Sequence, residues 1–364
     1  KLEAPETRAI HAVFRAWMPE ATLDVHEQGD NYYRVNTGRV TNANIAAAIG
    51  AFAKDVVYTD TEALVRSKGY TWHEYLVTEA MGSQGAAGAA EPTGANLEML
   101  TRPSTVDLND GRNGPGIYET ISFIQEGASR HDIATLEDRT TYQYLGVQGF
   151  VQSIARHAAR ARDLVIASRA ALIEKAGAPA PGDLVHLRMA HARDPKDPQT
   201  TIQHFEEGKG TGSKVTSEVV TNWFPAVRPT VSVQRAYGYI IPAAHQDVVA
   251  TLAAHQIAVQ TFTADVAVDV ERYVVDDITP SAEDYVAPER IAVTRQAAKV
   301  TIGKGDYYVS GAQPAANLIP NLLEPQAEFG LIRYRMYNLV PRTGATFPIV
   351  RVGKRQALPL AAVE

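Results

Sequence analysis

The run Ala21-Thr-Leu-Asp-Val-His-Glu-Gln-Gly29 constrains the first half of the chain more than any other stretch. Leu23 and Val25 alternate with Asp24 and His26, the two-residue period of a strand with one apolar face. Gly29 then leads into a polar loop. The preceding segment has a different period. Ile10, Val13, Phe14 and Trp17 recur at helical spacing, Pro5 and Glu6 suit a helical first turn, and Pro19 ends the helix. A helix, a tight turn and a strand with a histidine toward its C-terminal end match an open α/β sheet, which gathers ligand chemistry at the C-terminal ends of its strands. A single histidine needs partners before it becomes a site.

A second strand of the same kind follows the turn cluster Asp110-Gly-Arg-Asn-Gly-Pro-Gly116. In Ile117-Tyr-Glu-Thr-Ile-Ser-Phe-Ile-Gln-Glu126, Ile121, Phe123 and Gln125 face one way, and Ser122, Ile124 and Glu126 the other. Between the two strands the spacing predicts helices over 44–52, 61–66 and 71–81, and the Gly/Ala-rich run Gly82–Gly94 reads as a loop near a site. After Glu126 a long helix is expected over 141–175. Val147, Val151, Ile154, Val165 and Leu172 form its apolar face, and Arg156, Arg160, Arg162 and Arg169 its solvated one.

Gly177-Ala-Pro-Ala-Pro-Gly182 reads as a linker, and composition shifts beyond it. Val, Thr and Tyr alternate over 214–223, 230–235, 257–263, 266–273, 290–302, 307–310 and 347–352, with helices over 244–256 and 315–323. The expected class is α/β, with a mixed sheet and flanking helices over 1–178, then a β-rich α+β domain over 183–364.

Composition narrows the function classes. The net charge of −6 argues against a nucleic-acid groove or a polybasic membrane contact. No apolar run is long enough to span a bilayer as a helix. With no cysteine, disulfides and thiolate chemistry are excluded, so a metal would need His, Asp or Glu. The chain enters its first helix almost at once, so an N-terminal portion is expected to be missing.

These ordered features resemble the zinc carboxypeptidase (carboxypeptidase A-like) family. The resemblance rests on Glu6-Thr-Arg-Ala-Ile, Trp17-Met-Pro, Asp24-Val-His26 and Ile121-Ser-Phe-Ile-Gln-Glu126-Gly, and on C-terminal phrases such as Tyr237-Gly-Tyr-Ile-Ile-Pro242 and Gly305-Asp-Tyr-Tyr-Val309. The latter look like the extra domain of some bacterial members. The resemblance implies a partial carboxypeptidase-like sheet, Zn2+ as cofactor with His26 as one ligand, and Glu126 as general base and acid. It also implies a peptide substrate and a secreted or periplasmic location. The family's early His-x-x-Glu and Asn-Arg motifs do not occur in this chain. Further ligands are therefore expected upstream, with the chain's own N-terminal fragment as a partner. The one His-x-x-Glu spacing, His204-Phe-Glu-Glu207, falls in the β-rich half, where positions i and i+3 of a strand face apart.

Other residues carry two readings each. Arg112 is a candidate clamp for a substrate carboxylate, because a guanidinium fork matches a carboxylate; the alternative is a solvated turn arginine. Tyr118 is either a hydroxyl donor to substrate or a buried tyrosine. Asp24 shares His26's face and could orient a neighbour, whereas Glu27 points away and is solvated. His73 is expected to pack on a helix, His131 to border the cleft, and Arg156, His157 and Arg160 to be solvated. Two further functions stand beside metal-dependent carboxypeptidase activity: a degenerate peptidase fold that binds peptides, and an amidohydrolase acting on cell-wall peptides.

Overall fold

The computed structural model describes residues 2–28, 33–80, 99–128, 133–205, 215–281, 288, 290–340 and 342–363. Helix α1 (Pro5–Trp17) ends at Met18, whose left-handed backbone (φ 42°) turns the chain through Pro19 into strand β1 (Ala21–Gln28). The rest of the first sheet is β2 (Val35–Arg39), β3 (Trp72–Glu74) and, after further elements, β6 (Ile121–Ala128). Between β2 and β3 lies one continuous helical run, α2 (Ala47–Phe52), a π-helical segment (Ala53–Tyr58) and α3 (Thr59–Ser67), where two separate helices were expected. The hairpin β4 (Leu76–Ala80) and β5 (Met99–Pro103) and the short helix α4 (Asn113–Gly116) precede β6.

The strand order is β1-β6-β2-β3. β1 runs parallel to β6, β6 antiparallel to β2, and β2 parallel to β3, so the sheet is mixed. Its apolar face packs on helices: Phe123 meets Phe150 and Tyr58, and Gln125 donates to the Gln143 carbonyl at 2.9 Å. The helix expected over 71–81 is instead β3 and β4. Trp72 anchors β3 by donating its indole N–H to Thr37 Oγ1 at 3.1 Å, and pairing with β2 and β5 outweighs the local helical spacing. The long helix is two, α5 (Leu136–Arg156) and α6 (Ala158–Gly177), broken at His157.

The apolar stripe of α1 is not buried as its spacing predicts. Phe14 is buried, but Ile10, Val13 and Trp17 are 72%, 62% and 82% exposed. The helix rests on the edge of its stripe, with Phe14 against Tyr118 (ring centroids 5.5 Å), and no described element covers the rest.

The second half contains β7 (Leu184–Ala192), β8 (Thr200–Phe205), β9 (Val215–Val220), β10 (Ala226–Gln234) and β11 (Gly238–Ile241). Helix α7 (Gln246–Ala254), β12 (Gln260–Phe262), the long hairpin β13 (Val266–Thr279) and β14 (Arg290–Ile302), and β15 (Tyr307–Ser310) follow. Helix α8 (Leu318–Leu323), β16 (Val350–Val352) and β17 (Leu360–Ala362) complete the chain. Seven of these strands form one sheet in the order β14-β13-β16-β11-β15-β12-β17. The largest apolar cluster joins both halves, from Phe14 and Phe123 to Tyr239 and Ile349. Polar contacts cross as well: Tyr33 donates to the Thr201 carbonyl at 2.6 Å, and Asn317 to the Asn44 carbonyl at 2.7 Å.

Candidate active site on the face of the first sheet

The registers of β1, β6 and β2 assemble one polar face. Thr22 stands beside Ser122, Asp24 beside Ile124 and Gly38, and His26 beside Glu126 and Asn36. Residues in register across a pleated sheet share a face, so Thr22, Asp24, His26, Ser122, Glu126 and Asn36 all project away from the helices. The Thr22 and Ser122 hydroxyls lie 2.6 Å apart and lock this register. His26 and Glu126, far apart in sequence, thus become direct neighbours.

The two residues differ in environment. The His26 side chain is half exposed, and its Nε2 lies 2.9 Å from Asp24 Oδ2. Glu126 is 7% exposed and its Oε2 is buried with no hydrogen-bond partner. Burial raises its pKa and Asp24 adds to the rise, while His26 and Arg112 oppose it. Glu126 therefore holds its proton more tightly than a free glutamate.

Arg112 approaches this face from the loop before β6. It is 2% exposed, which overturns the solvated alternative. Its Nη2 donates to Thr105 Oγ1 and pairs with Asp110 Oδ2, both at 3.0 Å, while Nε and Nη1 are buried without a partner. Its guanidinium stands 5.7 Å from the Tyr75 ring centre and crosses the sheet over Gly38. A Cβ on Gly38 would come within 3.1 Å of Nη1 and 2.8 Å of the Ile124 side chain, so glycine leaves room for the arginine.

Asp110 organises the loop, a role that the turn reading did not isolate. Its Oδ1 accepts the backbone N–H groups of Arg112 (3.0 Å) and Asn113 (2.6 Å), and its Oδ2 accepts the Thr105 hydroxyl at 3.0 Å. An aspartate opening an Asp-Gly-Arg-Asn turn is the sequence signal for such a cap. Gly111 lies against β1, where a Cβ would overlap the Asp24 carboxylate.

Tyr118 is not part of this face. It precedes β6, at the opposite end from Glu126, and the strand from Ile121 to Glu126 spans about 16 Å. It is buried under α1 beside Phe14, with the Arg15 guanidinium 4.6 Å above its ring. The structure thus brings together His26, Glu126 and Arg112 and leaves Tyr118 apart.

Several other expectations change. Glu27 does point to the helix side, but it pairs with Arg139 at 3.4 Å. His73 lies on β3, stacked on Tyr33 at 4.5 Å, with Nδ1 2.7 Å from the Glu74 carbonyl. Arg156 and Arg160 are exposed, as expected, though Arg156 meets Asp60 at 2.9 Å and Arg160 lies over Phe52, while His157 is half-buried 3.3 Å from Asp60. Arg169 is not solvated: it donates to the carbonyls of Tyr118, Met18 and Pro19 and to the Thr120 hydroxyl, at 2.9–3.0 Å. Helix α6 is thereby pinned to the corner where α1 enters β1. His131, Glu207 and the 82–94 loop lie outside the described residues.

Among the described residues, no group of three or more His, Cys, Asp or Glu side chains could hold a metal ion. They offer a zinc ion one exposed imidazole, His26, already engaged by Asp24. This donor set does not fit a complete catalytic zinc site, which takes about three protein ligands. No helix among the described residues is long and apolar enough to cross a membrane. Compared with protein-family models, with curated proteins and with solved structures, the chain matches none.

Proposed function

We propose that this chain takes part in hydrolysing the bond next to a peptide's C-terminal carboxylate, in the manner of the zinc carboxypeptidases it resembles. One observation carries the reading: Glu126 and Arg112 are buried on the same sheet face as His26, and both keep polar atoms without a partner. In this reading Arg112 receives the substrate carboxylate through its free N–H groups. Glu126 takes a proton from the attacking water and returns it to the departing amine, so that one C–O bond forms as one C–N bond breaks. Asp24 orients the His26 ring. Zinc, the cofactor that the resemblance implies, would be held here by His26 and would supply Lewis acidity. Two further ligands are needed beyond those the described residues offer, and a secreted or periplasmic setting goes with the same reading.

The test is hydrolysis of hippuryl-phenylalanine by the chain with zinc titrated in. Glu126→Gln should lower turnover about a hundredfold or more while leaving binding of the substrate intact. Arg112→Lys should weaken binding about tenfold. Unchanged turnover in Glu126→Gln would remove that residue from the mechanism. A second reading, peptide binding without hydrolysis, is favoured by the incomplete donor set around His26. Saturable binding with no turnover at any zinc concentration selects it.

A further inference from the structure

A cavity of about 700 Å3 lies between α1, the 108–118 loop and the C-terminal half, and borders the sheet face at Thr22 and Asp24. Its volume is that of a small-molecule site. Phe14, Leu108, Ile117, Leu318 and Leu322 give it apolar walls. Among the polar side chains that line it, three carry atoms with no hydrogen-bond partner: the Tyr118 hydroxyl, His11 Nε2, and both ring nitrogens of His255. Tyr118 is 1% exposed and His255 8%. The two imidazoles meet edge to face, 4.7 Å between centres. Arg15, over the Tyr118 ring, also has its Nε buried without a partner.

Buried polar groups in folded proteins are nearly always paired, and three such residues in the wall of one cavity, with Arg15 behind the Tyr118 ring, need an explanation. Their chemistry indicates the missing partner. Each neutral imidazole offers one N–H donor and one acceptor nitrogen, while the phenol O–H and a guanidinium N–H add donors, so donors predominate and the complement carries acceptor oxygens. Arg15 adds positive charge. The other charged groups lining the cavity, Asp24 and Asp110, are engaged by His26 and Arg112, and Glu3 lies toward the start of α1. Burial and Arg15 hold both imidazoles below their usual pKa, so they meet a ligand as neutral donors at physiological pH.

We infer that this cavity binds an aryl or alkyl monocarboxylate, its apolar body between Phe14 and Leu322 and its carboxylate facing Tyr118, His11 and His255. This site does not rest on the hydrolytic reading, because its polar groups come from α1, the turn before β6 and the residue after α7. None of them belongs to the His26–Glu126 row.

The experiment is calorimetric titration of the full chain with 4-phenylbutyrate and with 4-phenyl-1-butanol, together with NMR of the histidine side chains. The acid should bind with one-to-one stoichiometry at least tenfold more tightly than the alcohol. His255→Phe and Tyr118→Phe should each weaken the acid about tenfold and leave the alcohol nearly unchanged. Should either variant unfold, Leu322→Trp narrows the cavity without touching a polar group and should weaken both probes. The imidazole signals of His11 and His255 should move most on binding. Absence of binding, equal binding of acid and alcohol, or signal changes centred on His26 would each overturn the assignment.

Discussion

Replacing Glu119 by glutamine should change how folding depends on pH, by an amount that follows from the residue's surroundings. Glu119 lies between Tyr118 and β6, 2% exposed, with a left-handed backbone (φ 60°). Its Oε2 accepts the Ala46 backbone N–H at 2.9 Å, and its Oε1 faces Asn317 Nδ2 at 3.4 Å, so it joins the two halves of the chain. Burial raises its pKa from 4.5 to about 7, against the pull of the Ala46 bond, Arg169 and Arg235. The folded carboxyl therefore holds its proton more tightly than the unfolded one. Its contribution to stability is fully present below pH 4.5 and is lost as pH rises through about 7. That displacement amounts to about 3 kcal/mol between the two limits. Glutamine removes the titration but also turns an N–H group toward one of the two donors, a cost of about 1 kcal/mol. The variant should be about as stable as the parent at pH 5, where part of the carboxyl's contribution is already lost, and more stable by about 2 kcal/mol at pH 8. Urea unfolding of both proteins between pH 5 and 8, followed by tryptophan fluorescence, measures the difference, in which other titrating groups largely cancel. A difference that stays flat over this range would refute the claim that burial controls this carboxyl.

Three further changes test other parts of the structure. Arg169→Ala removes the four bonds that hold α6 to the α1–β1 corner and should cost about 3 kcal/mol in urea unfolding. Arg351→Met leaves the buried Glu324 carboxylate without its cation and should cost about 3–5 kcal/mol; adding Glu324→Gln should recover part of this, as a double-mutant cycle would detect. Gly111→Ala pushes a methyl group into the Asp24 carboxylate, so it should cost about 2 kcal/mol and shift the His26 imidazole resonances.

The parts of the fold legible in the sequence are those where a residue's own period decides its face. The alternation in 21–28 and 121–126 identifies both strands and the side to which His26, Asp24 and Glu126 turn, and the alternation in 290–302 and 307–310 matches the strands there residue for residue. Periodicity fails where pairing outweighs local preference. Trp72, Tyr75 and Leu76 are spaced for a helix, yet β2 and β5 draw them into strands. Charge type misled for a different reason. Arg169 sits on a face expected to be solvated, and a solvated turn is one of the two readings of Arg112, but a long arginine can satisfy carbonyls and carboxylates several residues away in space, and no spacing rule encodes those partners. The cavity polar groups were equally invisible, because His11 and His255 meet only after 243 residues of intervening chain have folded.

The molecule itself supplies a comparison for its open sheet face. A second buried glutamate, Glu324, has both carboxylate oxygens occupied: Tyr239 donates to Oε1 at 2.8 Å and Tyr273 to Oε2 at 2.6 Å. Arg351 closes that network, with Nη1 donating to the Tyr273 hydroxyl at 2.8 Å and Nε 3.3 Å from Oε1. This is how the chain treats a charge kept for structure. Glu126 and Arg112 are buried to a similar degree, and Arg112 lies close enough to oppose the rise in the Glu126 pKa, yet Glu126 Oε2 and the Nε and Nη1 of Arg112 have no partner. Replacing Glu126 by an apolar residue would remove its desolvation cost at no loss of a hydrogen bond to Oε2, so stability alone gives no reason for a carboxyl there. What a carboxyl beside a guanidinium does provide is a proton carrier next to an anion receptor, with His26 at its side in register. That combination gives the sheet face, rather than the buried Glu324 network, the stronger claim to chemistry.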